Sequence, residues 1–596
     1  MRRLQFLTCG AVDDGKSTLV GRLLYECGCI YRDQLDGLRR PGTTGPAGLE
    51  LAWVTDGLRA EREHGVTMDV AYRYFSTVSR SYVLADAPGH EEFARGLATA
   101  ASNADLALLL VDATRGATPQ TLRHALTCAQ LGASDFIIAV NKMDLVGYDE
   151  GTFESLAETC LAVCAAAGGA RSQCLPVSAL AGDNVTAASA RLSWWHGPTL
   201  LAALELARPR RREEGPFRMA VQAVLAGPGG ERRYAGRVAR GTLRRGASVA
   251  TLPAGRAATA AAVYAASEPV RAAQAGRSIE VVLDPDPALA RGAVIAMPPH
   301  PPVSRRAWPA KLVWLCETPT AGGDYIAKHW RGYAKVRVQM KSRINGNCRA
   351  TPAASIGVGE LGAVGLEFES TELFDPYARC RASGSLVLLA AGTCETVGAA
   401  MIEDVRTDSP PPGPARDGLL IWLTGLCSSG KSTLARIVAR SLRARGHTVY
   451  WLDGDQVRGW LSPGLGFTRT DRDENVRRIG ELARRLNADS GATVVVSAVS
   501  PYREARAEVR SRAGRFLEVY VDAPLSVCAQ RDTKGLYRRA AAGELAGLTG
   551  VDDPYETPVS PEVLCPTSRE TPEVSAARIL AAVDRLSAPG VRSSMA

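Results

Sequence analysis

GAVDDGKST, residues 10–18, is a glycine-rich run closed by Gly-Lys-Ser, and it follows the apolar stretch LQFLTC. Such a loop wraps phosphate oxygens with successive backbone N–H groups, and its lysine reaches the outer phosphates. The residues after it, STLVGRLLYE, carry a helical pattern that places a helix N-terminus on the same phosphates. Strand, loop and helix in this order predict a nucleotide-binding α/β domain at the N-terminal end. The loop residues Gly10, Ala11, Val12, Asp13, Asp14, Gly15, Lys16, Ser17 and Thr18 are its expected phosphate contacts, with Ser17 on Mg²⁺. A second such run, GLCSSGKST at residues 425–433, follows LLIWLT near the other end of the chain.

Working outward, short apolar runs at Leu4–Cys9, Tyr82–Asp86, Leu106–Asp112, Phe136–Asn141 and Cys174–Ser178 alternate with helical patterns. This predicts a parallel sheet over 1–210. From 215 the pattern changes to short runs spaced by Gly and Pro, which predicts two small β barrels, 215–303 and 306–405. RTDSPPPGPARDG, 406–418, reads as a linker. Alternation resumes over 419–590, with strands expected at Leu419–Thr424, Thr448–Leu452, Thr493–Val496 and Leu517–Val521. The fold class is therefore multidomain: an α/β phosphate-loop domain, two β barrels and a second α/β phosphate-loop domain.

Bulk properties agree. A chain of 596 residues exceeds one core, and roughly three to five domains are expected. Hydrophobic content of 46% and charged content of 22% are those of a globular protein. The net charge of +9 suits anionic ligands such as nucleotides, or reflects an Arg-rich composition. No dense Lys/Arg block interleaved with aromatics appears, so no nucleic-acid partner is expected. No apolar stretch is long enough for a membrane span. The fourteen cysteines contain no CxxC pair, and the start reads as a strand and not a signal peptide, so a reduced, cytoplasmic chain is expected.

Four further motifs follow the first loop. Asp86 of DAPGH ends a strand and can hold Mg²⁺ through water, while the Gly89 N–H can meet a γ-phosphate. Asn141, Lys142 and Asp144 come from NKMD, and the Asp144 carboxylate can accept from guanine N1 and N2, a donor pair adenine lacks. Ser178 and Ala179 of SAL can present backbone to guanine O6, and Thr67 of REHGVTMD is placed to complete the Mg²⁺ shell. In this order the motifs resemble the translation-factor GTPases, and His90 matches the family position that orients the attacking water. LQFLTCGAVDDGKSTLVGRLLYE, GVTMDVAYRYFST, AVNKMDLVGYDE, PVSALAGDNV, WWHGPTLL and AKLVWL are similar to the large subunit of bacterial ATP sulfurylase over about 1–405. Departures are Ala87 where the family has Thr, Arg95-Gly96-Leu97 in place of Arg-Asn-Met, and a divergent stretch at 322–348.

The second loop has no Asn-Lys-x-Asp downstream. Instead WLDGDQVR places Asp453 and Asp455 at a strand end, where α/β ligand sites gather. Asp455 is the candidate general base or Mg²⁺ carboxylate; Asp453 is read as a turn or cap residue. Arg472 and Asn475, three apart, share a helix face, and an arginine there can pair with phosphate or sulfate. LDGDQVR, LGFTRTDRDEN, VSPYR, KGLYRRA and LTGVDDPYE make 418–590 resemble adenylylsulfate (APS) kinase. The resemblance implies ATP at Gly425, Leu426, Cys427, Ser428, Ser429, Gly430, Lys431, Ser432 and Thr433, with Lys431 catalytic and Ser432 on the metal. It also implies APS at Arg458, Phe467, Arg472 and Asn475, with Phe467 stacked on adenine, and Lys534 on a mobile lid. Ser500 matches a serine proposed in the family as a phosphoenzyme residue; in-line transfer needs no such residue, and a substrate-binding role through its backbone is the other reading. Thr533 replaces a usual Pro.

The combined resemblance is to a bifunctional sulfate-activation enzyme. It implies that GTP hydrolysis drives uphill formation of APS by a separate sulfate adenylyltransferase small subunit, giving a hetero-oligomer. The C-terminal domain would then phosphorylate APS at the 3′-OH with ATP. The alternatives are a translation-factor-like regulatory GTPase fused to a kinase, or a working kinase beside a degenerate GTPase half.

Overall fold

The computed structural model describes residues 3–30, 51, 70–87, 94–209, 214–344, 350–404 and 418–587. The N-terminal domain runs β1 (Leu4–Cys9), α1 (Lys16–Glu26), β2 (Ala71–Ser76), β3 (Ser81–Asp86), α2 (Ala94–Asn103), β4 (Leu106–Asp112), α3 (Pro119–Gln130), β5 (Asp135–Asn141), α4 (Glu150–Ala166), β6 (Arg171–Pro176) and α5 (Leu200–Leu206). The sheet order is β2-β3-β1-β4-β5-β6, parallel except for β2. All of β4 is buried, as expected of a central strand covered on both faces. Because β1 lies between β3 and β4, its C-terminal end sits where the strand order reverses, and the first phosphate loop opens there.

Two barrels follow. β7 (Arg218–Ala220), β8 (Arg232–Arg240), β9 (Ser248–Leu252), β10 (Arg256–Ala265), β11 (Ser278–Asp284) and β12 (Val294–Ala296) close because β9 pairs with both β10 and β12. In the second, β13 (Val303–Trp314), β14 (Gly322–His329), β15 (Gly332–Ile344), β16 (Leu361–Phe374), β17 (Ser385–Ala390) and β18 (Thr396–Ile402) close through the β14–β15 pairing. Closure removes edges, so short alternating strands suffice. The barrels are tied together by Arg218 and Asp375, 3.2 Å apart and both buried, and Asp375 also accepts from Ser383. The second barrel reaches the N-terminal domain where Tyr377 donates to the Leu131 carbonyl at 2.7 Å and Arg381 donates to the Ser102 carbonyl at 2.7 Å.

The C-terminal domain comprises β19 (Leu419–Thr424), α6 (Lys431–Ala444), β20 (Val449–Asp453), α7 (Gly454–Leu461), α8 (Arg469–Ser490), β21 (Thr493–Ser497), α9 (Arg503–Arg512), β22 (Arg515–Asp522), α10 (Leu525–Arg531), α11 (Leu536–Ala541), β23 (Val563–Pro566) and α12 (Pro572–Ser587). Its parallel sheet is ordered β20-β21-β19-β22-β23. The expected fold class is thus the observed one. Two edge strands, β2 and β23, were not expected, and β6 runs 171–176 and not 174–178. These three edge strands carry polar or exposed positions, so a search for apolar runs passes over them or misplaces their bounds. Among the described residues no helix is long and apolar enough to cross a membrane, and the described cysteines are free thiols.

Candidate functional sites

In the first loop, Gly10, Asp13 and Gly15 have φ of 157°, 67° and 88°. A Cβ at Gly10 would lie 2.8 Å from the Leu110 carbonyl oxygen, and one at Gly15 would lie 2.5 Å from Asn141 Nδ2, so neither position accepts a larger residue. The Lys16 ammonium donates to the Gly10 and Ala11 carbonyls at 3.0 and 2.8 Å. Burial lowers its pKa, opposed by the nearby Asp14 and Asp86. Asp14 accepts the Ala11 N–H at 2.6 Å and pairs with Arg115 at 2.7 Å. Burial nevertheless raises its carboxyl to about 6, outweighing Lys16, the Ala11 hydrogen bond and Arg115.

The guanine-recognition motif is wired to that loop. Asn141 donates from Nδ2 to the Asp14 carbonyl at 2.8 Å and accepts the Ala179 N–H at Oδ1 at 2.9 Å. One amide thus joins the phosphate loop, NKMD and SAL. Ser178 Oγ donates to Asp144 Oδ1 at 2.6 Å, orienting the carboxylate expected to face the base. Lys142, at φ 62°, pairs with Asp112 at 2.7 Å. Asp86 is buried at the end of β3 and accepts from Thr8 at 2.6 Å. Thr67, Gly89 and His90 lie outside the described residues.

In the second loop Gly425, Ser428 and Gly430 have φ of 156°, 57° and 101°, and Lys431 donates to the Leu426 carbonyl at 2.6 Å. A cavity of about 620 Å³ opens beside Lys431, Ser432, Thr433, Asp453 and Asp455. Asp453 does more than cap α7. One oxygen accepts the Asp455 N–H at 3.2 Å, and the other accepts from Ser432 at 2.6 Å and Ser497 at 3.0 Å. The exposed Asp455 pairs with Lys534, the expected lid residue. The Ser432 and Asp453 oxygens, 2.6 Å apart, are hard donors of the kind a magnesium ion takes, as is the Asp455 carboxylate expected for that part.

A second cavity, about 170 Å³, is lined by Arg458, Phe467, Arg472, Asn475, Ser500 and Leu548 among others. The Arg458 and Arg472 guanidiniums lie 4.4 and 5.6 Å from the Phe467 ring centroid. Burial, then the neighbouring Arg472 charge, lowers the Arg458 pKa. Arg472 is fixed by the Thr549 hydroxyl at 2.7 Å and the Gly547 carbonyl at 2.6 Å. Asn475 is 8% exposed, and its Oδ1 has no hydrogen-bond partner among the described residues. Ser500 is buried at φ 40°, with its Oγ accepting from Trp422 at 3.0 Å and bonded to Thr424 at 3.0 Å. Its hydroxyl is engaged in the core, which favours the backbone-binding reading over a phosphoenzyme. Cys427, Asp455, Ala498 and Val499 line both cavities, so the two open onto a shared wall.

Residues 1–210 match the family described as elongation factor Tu GTP binding domain, and residues 417–566 match adenylylsulphate kinase. Over nearly its whole length the chain is 39% identical to the "Bifunctional enzyme NodQ" of Rhizobium sp. (strain BR816), covering 98% of this chain and 95% of the relative. It is 40% identical to the "Bifunctional enzyme CysN/CysC" of Xylella fastidiosa (97% and 96%) and 38% to that of Mycobacterium tuberculosis (96% and 97%). This chain belongs to the bifunctional CysN/CysC and NodQ enzyme family. As a member it carries a GTPase-type domain and an adenylylsulphate-kinase domain, and the recognised resemblance of both ends is correct.

In this CysN/CysC-type chain the sequence reading missed Arg115, Asp112 and the second role of Asp453. Asp112 ends β4 and Arg115 follows it in DATRG, a strand-end position that is the signal for them. Arg115 also donates to the Val12 carbonyl at 2.7 Å, closing the phosphate loop from outside.

Proposed function

We propose that this enzyme activates sulfate in two linked steps. GTP hydrolysis in the N-terminal domain drives adenylylsulfate formation on a partner sulfate adenylyltransferase small subunit. The C-terminal domain then transfers the γ-phosphoryl of ATP to the 3′-OH of adenylylsulfate, giving 3′-phosphoadenylylsulfate. The observation that carries the second step is the shared wall of the two cavities. ATP in the larger directs its γ-phosphate past Lys431 toward Asp455, and adenylylsulfate in the smaller brings its 3′-hydroxyl to the same wall.

Asp455 accepts the hydroxyl proton once Lys534, its present partner, moves to the transferring phosphate. Arg458 and Arg472 hold the phosphosulfate and Phe467 offers its ring to adenine. Asn475 Oδ1, buried and with no partner among the described residues, takes a donor from the bound acceptor. Ser432 and Asp453 would hold Mg²⁺ in the kinase site, and Ser17, Thr67 and Asp86 would hold it in the GTPase site; the ion would supply charge neutralisation on the outer phosphates. The described residues form a GTPase-type domain, two barrels and a kinase domain, and the reading therefore assigns adenylyl transfer to a partner subunit in a hetero-oligomer.

The test is purified chain with ATP and adenylylsulfate, no partner added. The wild type forms 3′-phosphoadenylylsulfate; Lys431→Ala loses at least ~10³ of the rate, and Lys16→Ala keeps it. Lys16→Ala instead abolishes GTP turnover measured with the small subunit. A folded wild type that makes no product would overturn the kinase assignment, and GTP turnover stimulated by ribosomes but not by the small subunit would overturn the first step.

A further inference from the structure

The kinase strand β20 lies at the edge of its sheet. An edge strand left bare is a template for unwanted pairing, and proteins cover it. Here the cover comes from the GTPase domain. Helix α4 packs Phe153 and Ala157 into its own domain, and its other side meets the kinase. Cys160, Ala162 and Val163 share one hydrophobic cluster with Leu452, Val457 and Trp460 of the kinase.

Charge reinforces this contact. Glu154 and Glu158, one turn apart on α4, face Arg436 and Arg443 on α6. Glu158 takes Arg443 in a two-pronged pair, with Nη2–Oε2 at 2.6 Å, and the same guanidinium donates to the Val449 carbonyl of β20 at 2.7 Å. Gln456 of α7 bonds both Ser155 and Thr159 of α4. Gln456 is flanked by Asp455 and, two residues on, by Arg458, which serve the transfer wall and the acceptor cavity.

We infer that the outer face of α4 is the docking surface by which the GTPase domain holds its own kinase domain, covering β20 and bracing α7 so that Asp455 and Arg458 keep their places. The helix begins a few residues after the guanine-recognition motif, and α6 begins at the ATP loop, so the contact joins the two nucleotide sites through two helices. The consequence for acceptor binding rests on the proposed kinase reaction; the docking itself does not.

Hydrogen exchange on the full chain tests it. Glu158→Arg speeds exchange in the 449–453 segment and in α4 at least tenfold; Arg443→Glu does the same in α4, and the double swap restores protection of α4, whereas the 449–453 segment still lacks the Arg443 bond to Val449. The adenylylsulfate KM rises at least threefold in each single variant, with the ATP KM unchanged, and returns in the swap. Arg436→Glu, at a half-exposed pair, gives a smaller change of the same kind should a stronger variant not fold; Arg445→Glu, whose partner Asp584 is in the kinase domain, leaves α4 exchange unchanged. Protection of 449–453 that is indifferent to both single reversals, or that depends on protein concentration and so comes from a second copy, overturns the inference. If wild type makes no 3′-phosphoadenylylsulfate, the function reading fails while the exchange arm still decides the docking.

Discussion

At Asp14 two demands collide. The phosphate loop needs a side-chain oxygen to hold the Ala11 N–H, and the site that holds it is nearly dry. Burial therefore raises the Asp14 carboxyl to about 6, while an unfolded chain titrates it near 3.8. The folded state retains a proton that the unfolded state has released, so the group's stabilising contribution is full below about pH 4 and is lost as pH rises through 6. The stability of wild type relative to Asp14→Asn should fall by about 3 kcal/mol between about pH 4 and pH 7. Urea unfolding of the GTPase transition across that range measures it, and a flat difference would mean that Arg115 and the loop amide fully compensate burial.

At the scale of the element, the turn from β20 into α7 concentrates kinase chemistry in three residues. Asp453 caps the helix and holds Ser432, Gly454 lets the chain pass Ala498 closely, and Asp455 faces the cavities. Asp453→Ala should lower kinase turnover ~10–100-fold by releasing the Ser432 hydroxyl, which the proposed Mg²⁺ site requires. It should also cost about 1 kcal/mol of kinase stability through the lost cap, with GTP turnover unchanged. Equal losses in both activities would point to general unfolding. The sequence exposed this turn through DGD at a strand end, but it could not rank the two carboxylates. Their ranking depends on Ser432 and Ser497, 21 and 44 residues away, which only the sheet order β20-β21-β19 brings alongside.

Across the whole molecule, buried polar ties hold the domains. Arg218 and Asp375 sit between the barrels, each nearly sealed from solvent. Removing one partner leaves the other charge buried, so Asp375→Ala should destabilise the barrel pair by about 3–5 kcal/mol, whereas Arg218→Met with Asp375→Leu should cost far less. Calorimetry on the full chain resolves the two cases. If both variants melt alike, the pair is not a structural tie.

The sequence alone determined the two phosphate loops, their order relative to the NKMD motif, and the alternation that distinguishes parallel sheets from barrels. These are local features: a loop of fixed spacing, a period, a strand followed by a turn. Tertiary structure decided everything that needs residues distant in the chain to meet. Asn141 had to be brought to Asp14 and Ala179 before one amide could join three motifs, and Ser500 had to be packed under Trp422 before its hydroxyl was engaged. The edge strand β20 had to find α4 before an acidic helix face could be distinguished from a solvated one. Spacing along a chain specifies backbone geometry over a few residues; which side chain satisfies which buried group is set only when the sheets and helices close around it.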